Sequence, residues 1–483
     1  MYDMWMNHNY YILNSFRAIW ALIMTYHSTP LKYGDQVIDE FIPDEVRNVT
    51  VLRVEEYKPD FTDLKTKLYQ VLDSPIGSKP FNELVDDIYS EGKRILFMVD
   101  DKTRPNIHTK ILLPLMADRL LGLGVRKEDI GIIISSGTHV VASPKEVEGR
   151  ILGADLYKIW GNNVLTHDCD SGNKNVGTTS RGTPILIDEQ VLASSLLIPL
   201  SDSEYHYFAG QAGTVKLFCP GVAGRETIRI NHPRMFDLEK GFHEDCRLGN
   251  CEGNPVIQDM IEVTKIMKER IPIFCVDAIV NDGEIVYLQA GDIIECHKAA
   301  SPPLRDLRVV DVDEPGDLVF VSVGELGVNL YQAGKGIHAA WNALRHDKKG
   351  WIVLLAPCED GIGSAGYAEA MHAAKDLEVQ DALRFVIETF CSEQTFKIGN
   401  QKPPDLFRIL LDVAEGNIKV ISGLDADELR SIYRMEGCSV KDYSEVQGML
   451  RDLVNRFLKE NPNPKIYVLD DAGLLVNVKN QIH

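Results

Sequence analysis

The sequence predicts an α/β fold made of two domains, each built on a mainly parallel β-sheet. Short apolar runs alternate with helical patterns along most of the chain, which is typical of βαβ units. The chain has 483 residues, which is enough for more than one domain. Hydrophobic residues make up 45% of it and charged residues 25%, an ordinary globular composition that argues against disorder.

The first series of alternating elements lies between residues 94 and 280. It opens with residues 94–100 (RILFMVD), whose apolar character predicts a buried strand. The elements that follow in this series are a helix over 111–123, strands over 129–135 and 195–200, a helix over 255–269 and a strand over 272–280.

A second series begins after residues 301–303. Its predicted elements are strands over 317–323 and 351–356, helices over 336–344, 365–375 and 379–390, and a last strand over 465–469. We therefore expect an N-terminal α/β domain over residues 29–300 and a C-terminal α/β domain over 301–462. Residues 463–483 are expected to rejoin the N-terminal domain.

Residues 1–28 form an N-terminal extension of a different character. Residues 10–24 are largely apolar but too few to span a bilayer. One interpretation is that Met24 is the true start and the preceding segment a mis-assigned extension. The alternative is an interfacial helix or a signal segment.

Charge and cysteine content exclude some classes of partner. The chain has 51 basic and 71 acidic residues, a net charge of −20, and no basic stripe, so nucleic acid is not an expected partner. Its nine cysteines are odd in number and scattered, which favours reduced thiols in the cytoplasm over a disulfide framework. No membrane association is expected.

Polar residues follow three of the predicted strands at the point where each strand ends. Arg104 follows the first strand, His139 the second, and His206 the strand at 195–200. In open α/β sheets, ligands bind outside the carboxyl ends of the strands. Solvated loops would explain any one of these positions, but the three together favour a binding site.

A lysine and a further histidine come next along the chain. Lys216 closes a glycine-rich run and lies between Val215 and Leu217. An amine in apolar surroundings can have a lowered pKa and act as a nucleophile or a tether, although a surface lysine in a loop fits the local sequence as well. His232 follows sixteen residues later. A single histidine is more often structural than a metal ligand.

Two features of the second domain could bind an anion or a nucleotide. Gln332 and Lys335 share a face of a predicted helix near its start, which suits an anion, but ordinary capping explains them equally well. Residues 361–366 match the G-x-G-x-x-G pattern of NAD-binding loops. No second strand with an acidic residue follows at the required distance, which argues against NAD.

Taken in order, these motifs resemble the nickel-dependent lactate racemase family. The resemblance runs from about residue 31 to at least residue 366, and its specificity lies in the ordered set. That set is Asp101-x-Thr103-Arg104, Gly137-Thr138-His139, His206 ten residues before Lys216, Lys216-x-x-Cys219-Pro220-Gly221, His232, Tyr331-Gln332-x-x-Lys335, and the stretch GTTSRGTP over 177–184.

The resemblance implies a nickel-pincer nucleotide as cofactor and a role for each matched residue. Lys216 matches the lysine that carries the cofactor covalently, and His232 matches the protein ligand of its Ni²⁺. His139 and His206 match two general acid/bases. The other matched residues are Arg104, Lys335 and Gln332 around the substrate, and Asp101, Thr103 and Tyr331 around the cofactor.

The implied reaction is racemisation or epimerisation of a small 2-hydroxy acid. One histidine takes the hydroxyl proton while hydride moves from Cα to the cofactor, and return of the hydride to the other face inverts the centre. Cofactor-maturation proteins are implied partners. Because the histidines and Lys335 come from different domains, the resemblance places the active site in the cleft between them.

The loop before the lysine departs from the family. It reads Gly-Gln-Ala-Gly-Thr over residues 210–214, where the family tends to read Gly-Phe-Ser-Gly-Gly. Ala212 and Thr214 thus replace a serine and a glycine, which leaves the substrate open between lactate and larger acids, including sugar acids epimerised at C2. The alternatives are a cofactor-free two-base isomerase, an NAD-dependent 2-hydroxy acid dehydrogenase, and a non-catalytic hydroxy-acid-binding protein.

Overall fold

The computed structural model describes residues 25–54 and 57–479, which form two compact units. Unit 1 contains residues 25–53, Val310–Ala382 and 405–479, and unit 2 contains Val54–Val309 and Leu383–Pro404. Most of the predicted N-terminal extension, up to residue 24, lies outside the described residues. Both units combine helices with a large sheet, so the predicted α/β fold class is confirmed.

The strands of the described residues are numbered in chain order. They are β1 Leu31–Tyr33, β2 Gln36–Ile38, β3 Val49–Leu52, β4 Ile95–Asp100, β5 Ile130–Ser135, β6 Val164–Thr166, β7 Asn173–Thr178, β8 Pro184–Asp188, β9 Leu196–Asp202, β10 Tyr205–His206, β11 Gly210–Gln211, β12 Phe236–Asp237, β13 Gly241–Phe242, β14 Cys275–Asn281, β15 Glu284–Gly291, β16 Val309–Val312, β17 Leu318–Ser322, β18 Trp351–Leu355, β19 Ile418–Ser422, β20 Glu436–Ser439, β21 Ile466–Leu469 and β22 Leu475–Val478.

The α-helices are numbered in the same way. They are α1 Leu64–Asp73, α2 Phe81–Ile88, α3 Ile107–Gly122, α4 Pro144–Glu146, α5 Ala154–Trp160, α6 Glu189–Leu192, α7 Arg225–Asn231, α8 Pro255–Lys268, α9 Ile293–Ala299, α10 Ser301–Arg308, α11 Leu330–Ala343, α12 Ala365–Ala374, α13 Val379–Phe390, α14 Lys402–Asp412, α15 Ala426–Ser431 and α16 Val446–Glu460.

The main sheet of unit 2 has six strands in the order β15-β14-β9-β4-β5-β6. All neighbours pair in parallel except β14 and β15, which pair antiparallel. The central strand β4 is buried along nearly its whole length because helices cover both faces of such a sheet, and this explains its continuous apolar sequence. Its residues Ile95, Phe97 and Val99 belong to a core that also includes Leu113 and Phe274.

The topology of this sheet locates its binding edge. From β4 the chain proceeds to β5 on one side, and it later returns as β9 on the other side. A crevice forms outside the carboxyl ends of two strands at such a reversal of strand order. Residues that follow β4, β5 and β9 are therefore placed to line a common site.

The main sheet of unit 1 also has six strands, in the order β20-β19-β18-β17-β21-β3. All of its neighbouring strands pair in parallel. Helix α16 covers one face and contributes Leu450, Val454 and Phe457 to a core that also holds Phe320.

The division of the chain differs from the predicted domain boundaries in three places. Strand β21 does not rejoin the N-terminal domain, as we expected for residues 463–483, but pairs with β17 and β3 inside unit 1. Residues 25–53 belong to unit 1 for the same reason, since β3 completes that sheet. Leu383–Pro404 belongs to unit 2 although it lies in the predicted C-terminal domain.

The cysteines and helices bear on two further expectations. All nine cysteines lie among the described residues, no disulfide joins any two of them there, and all but Cys251 are buried. Among residues 25–54 and 57–479, no helix has the length and apolar character needed to span a membrane.

Candidate active site

The turn after β4 joins the D-x-T-R motif to the histidine that follows β5. Asp101 is buried, and its Oδ2 lies 2.6 Å from Nδ1 of the exposed His139. Its Oδ1 accepts hydrogen bonds from the main-chain N–H and the hydroxyl of Thr103, at 3.1 and 2.6 Å. Burial alone would raise the pKa of Asp101, but the interactions with His139 and Thr103 hold it below its ordinary value. An ionised Asp101 therefore orients the His139 ring.

The G-T-H motif also contacts the segment that follows Lys216. The N–H of Gly137 donates to the carbonyl of Gly221 at 2.9 Å. A Cβ atom on Gly137 would lie 3.3 Å from Pro220, so the two turns are closely packed. The loops after β5 and β9, which are far apart in the sequence, therefore meet at the carboxyl edge of the sheet.

Phe208 is the centre of an aromatic cluster that brings three predicted residues together. Its ring centroid lies 4.4 Å from that of His206 and 5.5 Å from that of His232. The Nζ atom of Lys216 lies 5.7 Å from the same centroid. Phe396, from the part of unit 2 contributed by Leu383–Pro404, packs on the other side of His232 at 5.8 Å. The amine and the two imidazoles thus all lie close to one aromatic ring.

The electrostatic surroundings of Lys216 favour a neutral amine. Burial and the positive charge of Arg104 lower the pKa of Lys216 to about 7, although Glu204 and Asp100 act in the opposite direction. Arg104 Nη2 lies 3.2 Å from Glu204 Oε1. Burial likewise raises the pKa of Asp100 to about 7, against the effect of Arg104. A substantial fraction of Lys216 is therefore unprotonated and nucleophilic at neutral pH.

His232 is a buried, neutral imidazole. Burial and the charge of Lys216 lower its pKa to about 3. Its Nδ1 atom is buried and makes no hydrogen bond of ordinary geometry, although the main chain of Ile228 acts on the ring and opposes the fall in its pKa. Buried polar atoms are rarely left without a partner, and a neutral imidazole is the form that binds a metal.

A buried carboxylate supports the turn that carries His232. The side chain of Asp259, on α8, is fully buried and receives hydrogen bonds from three side chains in two other segments. The donors are Thr179 Oγ1 at 2.6 Å, Thr183 Oγ1 at 2.7 Å and Asn231 Nδ2 at 2.9 Å, and Arg234 Nε lies 3.6 Å away. The stretch GTTSRGTP thus has a structural role, because Thr179 and Thr183 share one buried carboxyl group with residues close to His232.

We expect Asp259→Ala to lower the free energy of unfolding of unit 2 by about 3 kcal/mol, because it leaves buried donors without an acceptor. Hydrogen–deuterium exchange of the amides of β4 and β9 would measure the loss. The control is Asp170→Ala, which breaks an exposed ion pair with Arg225 and should cost less than about 1 kcal/mol. Equal effects of the two variants would contradict the role given to Asp259.

The loop before Lys216 is tied to its surroundings at several points. A Cβ atom on Gly213 would lie 2.7 Å from the carbonyl oxygen of Asp202, so this position requires glycine. Gln211 Nε2 donates to the carbonyl of His297 at 2.9 Å. Thr214 Oγ1 lies 2.7 Å from Nδ1 of the same histidine. These contacts fix the short 3-10 helix Thr214–Leu217, which carries Lys216.

Tyr331, Gln332 and Lys335 lie in unit 1, in the first two turns of α11. The helix is capped by Asn329, whose side chain accepts a hydrogen bond from the N–H of Gln332 at 3.0 Å. The ring of Tyr331 lies 6.1 Å from that of Tyr367. Their predicted position relative to the histidines of unit 2 stays a prediction.

The G-x-G-x-x-G loop has a structural role at the same helix start. The carbonyls of Gly361 and Ile362 accept hydrogen bonds from the N–H groups of Leu330 and Tyr331, both at 3.0 Å. Gly363 has a φ of +85°, and a Cβ atom there would lie 2.2 Å from the side chain of Asn329. These contacts give Gly361 and Gly363 a structural role that needs no nucleotide.

Sequence reasoning did not single out Phe208, Asp259 or His297. Asp259 and His297 could have been detected in the sequence, because each is a polar residue on the apolar face of a helical pattern. Asp259 lies three residues after Val256, and His297 lies four after Ile293, and all four residues are buried. Phe208 had no signal beyond its place two residues after His206.

Comparisons with known proteins point to the same family as the ordered motifs. The family described as "Lactate racemase N-terminal domain" matches residues 33–242. A lactate racemase from Thermoanaerobacterium thermosaccharolyticum is 27% identical over 460 residues, covering 93% of this chain and 99% of the relative. A lactate racemase from Lactiplantibacillus plantarum is 25% identical over 455 residues, covering the same shares of the two chains.

Solved structures share the fold. The lactate racemase apoprotein from T. thermosaccharolyticum matches with a TM-score of 0.75 and 23% identity, over 93% of this chain and all of the other. A Thermotoga maritima protein matches with a TM-score of 0.60 and 15% identity, over 88% of this chain and all of the other. These matches show that the chain is similar to lactate racemases over nearly its whole length, and together with the ordered motifs they support an enzyme of the isomerase class.

Proposed function

We propose that the enzyme racemises lactate or epimerises a larger 2-hydroxy acid, with a nickel-pincer nucleotide attached to Lys216. The observation that carries the proposal is the cluster around Phe208. The amine of Lys216, whose pKa is lowered, and the neutral imidazole of His232 both lie close to its ring. His206 lies against the same ring, and His139 is oriented by Asp101. This set matches the residue types that the reaction requires.

The residues present fit this cofactor. The lowered pKa of Lys216 suits covalent attachment through its amine. The buried Nδ1 of His232, which makes no hydrogen bond of ordinary geometry, supports a ligand role for its ring, because imidazole is an appropriate ligand for Ni²⁺. Lys216 and His232 would therefore hold the cofactor, with Asp101, Thr103 and Tyr331 around it.

When bound, the cofactor supplies an electrophilic carbon that can accept and return the hydride of the substrate Cα. The protein supplies the proton chemistry. His139 and His206 each take or return the proton of the substrate hydroxyl, one for each enantiomer, and an imidazole suits this because it can exchange protons near neutral pH. Asp101 keeps the His139 ring in place through the 2.6 Å contact at Nδ1, which leaves Nε2 for the substrate.

Substrate binding is assigned to two cationic side chains and one amide side chain. A guanidinium binds a carboxylate through two parallel donors, so Arg104 is assigned to the substrate carboxylate or hydroxyl oxygen. Lys335 and Gln332 are assigned to the same ligand. Both relatives are named lactate racemase, which supports lactate as a first candidate, and Ala212 and Thr214 leave larger acids open. We further propose a cytoplasmic enzyme that receives its cofactor from maturation proteins.

The test uses enzyme produced together with cofactor-maturation proteins and incubated with pure L-lactate in heavy water. Inversion with the Cα hydrogen retained, measured by NMR, is the expected result because the hydride returns without exchange. Deuterium at Cα would instead support a two-base isomerase, and a requirement for added NAD would support a dehydrogenase. Binding without inversion of any acid in a panel that includes sugar acids would support a non-catalytic protein. Each of these three results would overturn the proposal.

A further inference from the structure

Thr214 adopts a backbone conformation that favours glycine. Its φ is +38°, and it lies two residues before Lys216. Side chains with a branched Cβ are disfavoured in this left-handed region because the Cβ atom crowds the backbone. Other contacts must therefore keep Thr214 in place.

Two side chains hold Thr214. Ser201 Oγ accepts a hydrogen bond from its main-chain N–H at 2.5 Å, and His297 Nδ1 lies 2.7 Å from its hydroxyl. His297 also accepts the bond from Gln211 through its carbonyl, so one residue of α9 contacts the loop at two points. The imidazole of His297 is buried, and its Nε2 makes no hydrogen bond. Its contact with the threonine hydroxyl is thus the polar interaction that its ring makes.

We propose that His297 is a positioning residue for Lys216, which acts by holding the hydroxyl of Thr214 and so keeping that residue in the left-handed conformation. The 3-10 helix that begins at Thr214 then presents the Lys216 amine towards Phe208. The inference rests on the proposed role of Lys216 as the attachment point. The inference has a distinctive consequence. A glycine at position 214 adopts the left-handed conformation without a hydrogen bond to hold it, so His297 should no longer be needed to position Lys216.

A pair of substitutions at Thr214 separates strain from hydrogen bonding. Thr214→Val and Thr214→Gly both remove the bond to His297, but only valine keeps the branched Cβ. We expect Thr214→Val to displace Lys216 and Thr214→Gly to leave it in place. The readout is the pH of half-maximal acetylation of Lys216 by acetic anhydride in protein without cofactor, followed by peptide mass. Displacement of Lys216 into water should raise this pH by about one unit, which corresponds to a ten-fold change in the protonation equilibrium of the amine.

His297→Ala completes the test. In the wild-type background it should produce the same upward shift as Thr214→Val, and it should lower the fraction of protein that carries the lysine adduct by about ten-fold. In the T214G background it should change neither quantity by more than about two-fold. Rescue by Thr214→Gly is a result that a general loss of stability would not give, and urea unfolding of each variant would confirm that it is folded.

The outcomes distinguish this inference from the proposed function. The inference is overturned if His297→Ala leaves the labelling profile unchanged, or if Thr214→Gly shifts it as much as Thr214→Val. It is also overturned if the T214G background fails to rescue His297→Ala. If the wild-type protein carries no adduct at all, the proposed function fails, while the labelling profiles still decide whether His297 positions Lys216.

Discussion

Replacing Lys216 with alanine is expected to abolish both the covalent adduct and turnover. An ordinary lysine is almost fully protonated at neutral pH, whereas the pKa of Lys216 is lowered to about 7 by burial and by Arg104. The proposed attachment requires the neutral amine, and the proposal assigns the adduct to this lysine alone. Intact mass of protein made beside its maturation proteins, followed by peptide mapping, would measure the adduct.

Lys335→Ala is the matched control for this experiment. It removes an amine assigned to the substrate, so we expect the adduct on Lys216 to remain while turnover falls. Attachment to the wild-type protein should become faster as the pH rises through 7, since the neutral fraction of Lys216 grows there, and should level off above it. An active Lys216→Ala enzyme without an adduct would defeat the assignment.

The large sheets could be predicted because their strands are buried on both faces. A parallel strand covered by helices needs apolar side chains at nearly every position, so β4 and β18 stand out in the sequence as continuous runs. The polar residues at strand ends could be predicted from the same pattern, since they begin where the apolar run stops. Local sequence therefore identified seven of the twelve strands in the two main sheets, and the edge of the unit 2 sheet at which its motifs meet, but not the equally buried β19.

Pairing between distant segments could not be predicted. Ile466 of β21 pairs with Val49 of β3, more than four hundred residues away, and nothing in either short strand specifies that partner. The assignment of residues 463–483 to the N-terminal domain was wrong for this reason. Strand β3 lies early in the chain, but it completes the sheet of unit 1.

Contacts between distant segments also limit what could be predicted about the side chains of the candidate site. Motifs single out candidate catalytic residues, because the residue types that can do chemistry are few. The residues that hold those candidates in place act through contacts between remote segments. Asp259 links GTTSRGTP to the His232 turn, and His297 links α9 to the loop before Lys216. A polar residue on an apolar helix face is the sequence signal that both share.

The second large effect is expected at His232. We expect His232→Ala to lower the nickel content of the purified enzyme by more than about ten-fold while leaving the adduct on Lys216, because the amine and the imidazole are separate attachments. Plasma mass spectrometry of desalted protein would give nickel per chain, and intact mass would give the adduct. The structural basis is the neutral ring, whose buried Nδ1 makes no hydrogen bond of ordinary geometry.

His206→Ala is the matched control, since it removes the other imidazole that contacts Phe208. This variant should keep its nickel and lose turnover, because His206 is assigned to proton transfer and not to the metal. Circular dichroism would establish that both variants fold. If His232→Ala retains nickel at the wild-type level, or if the two histidine variants lose it equally, the ligand is another group. The buried Nδ1 of His232 would then need a different explanation.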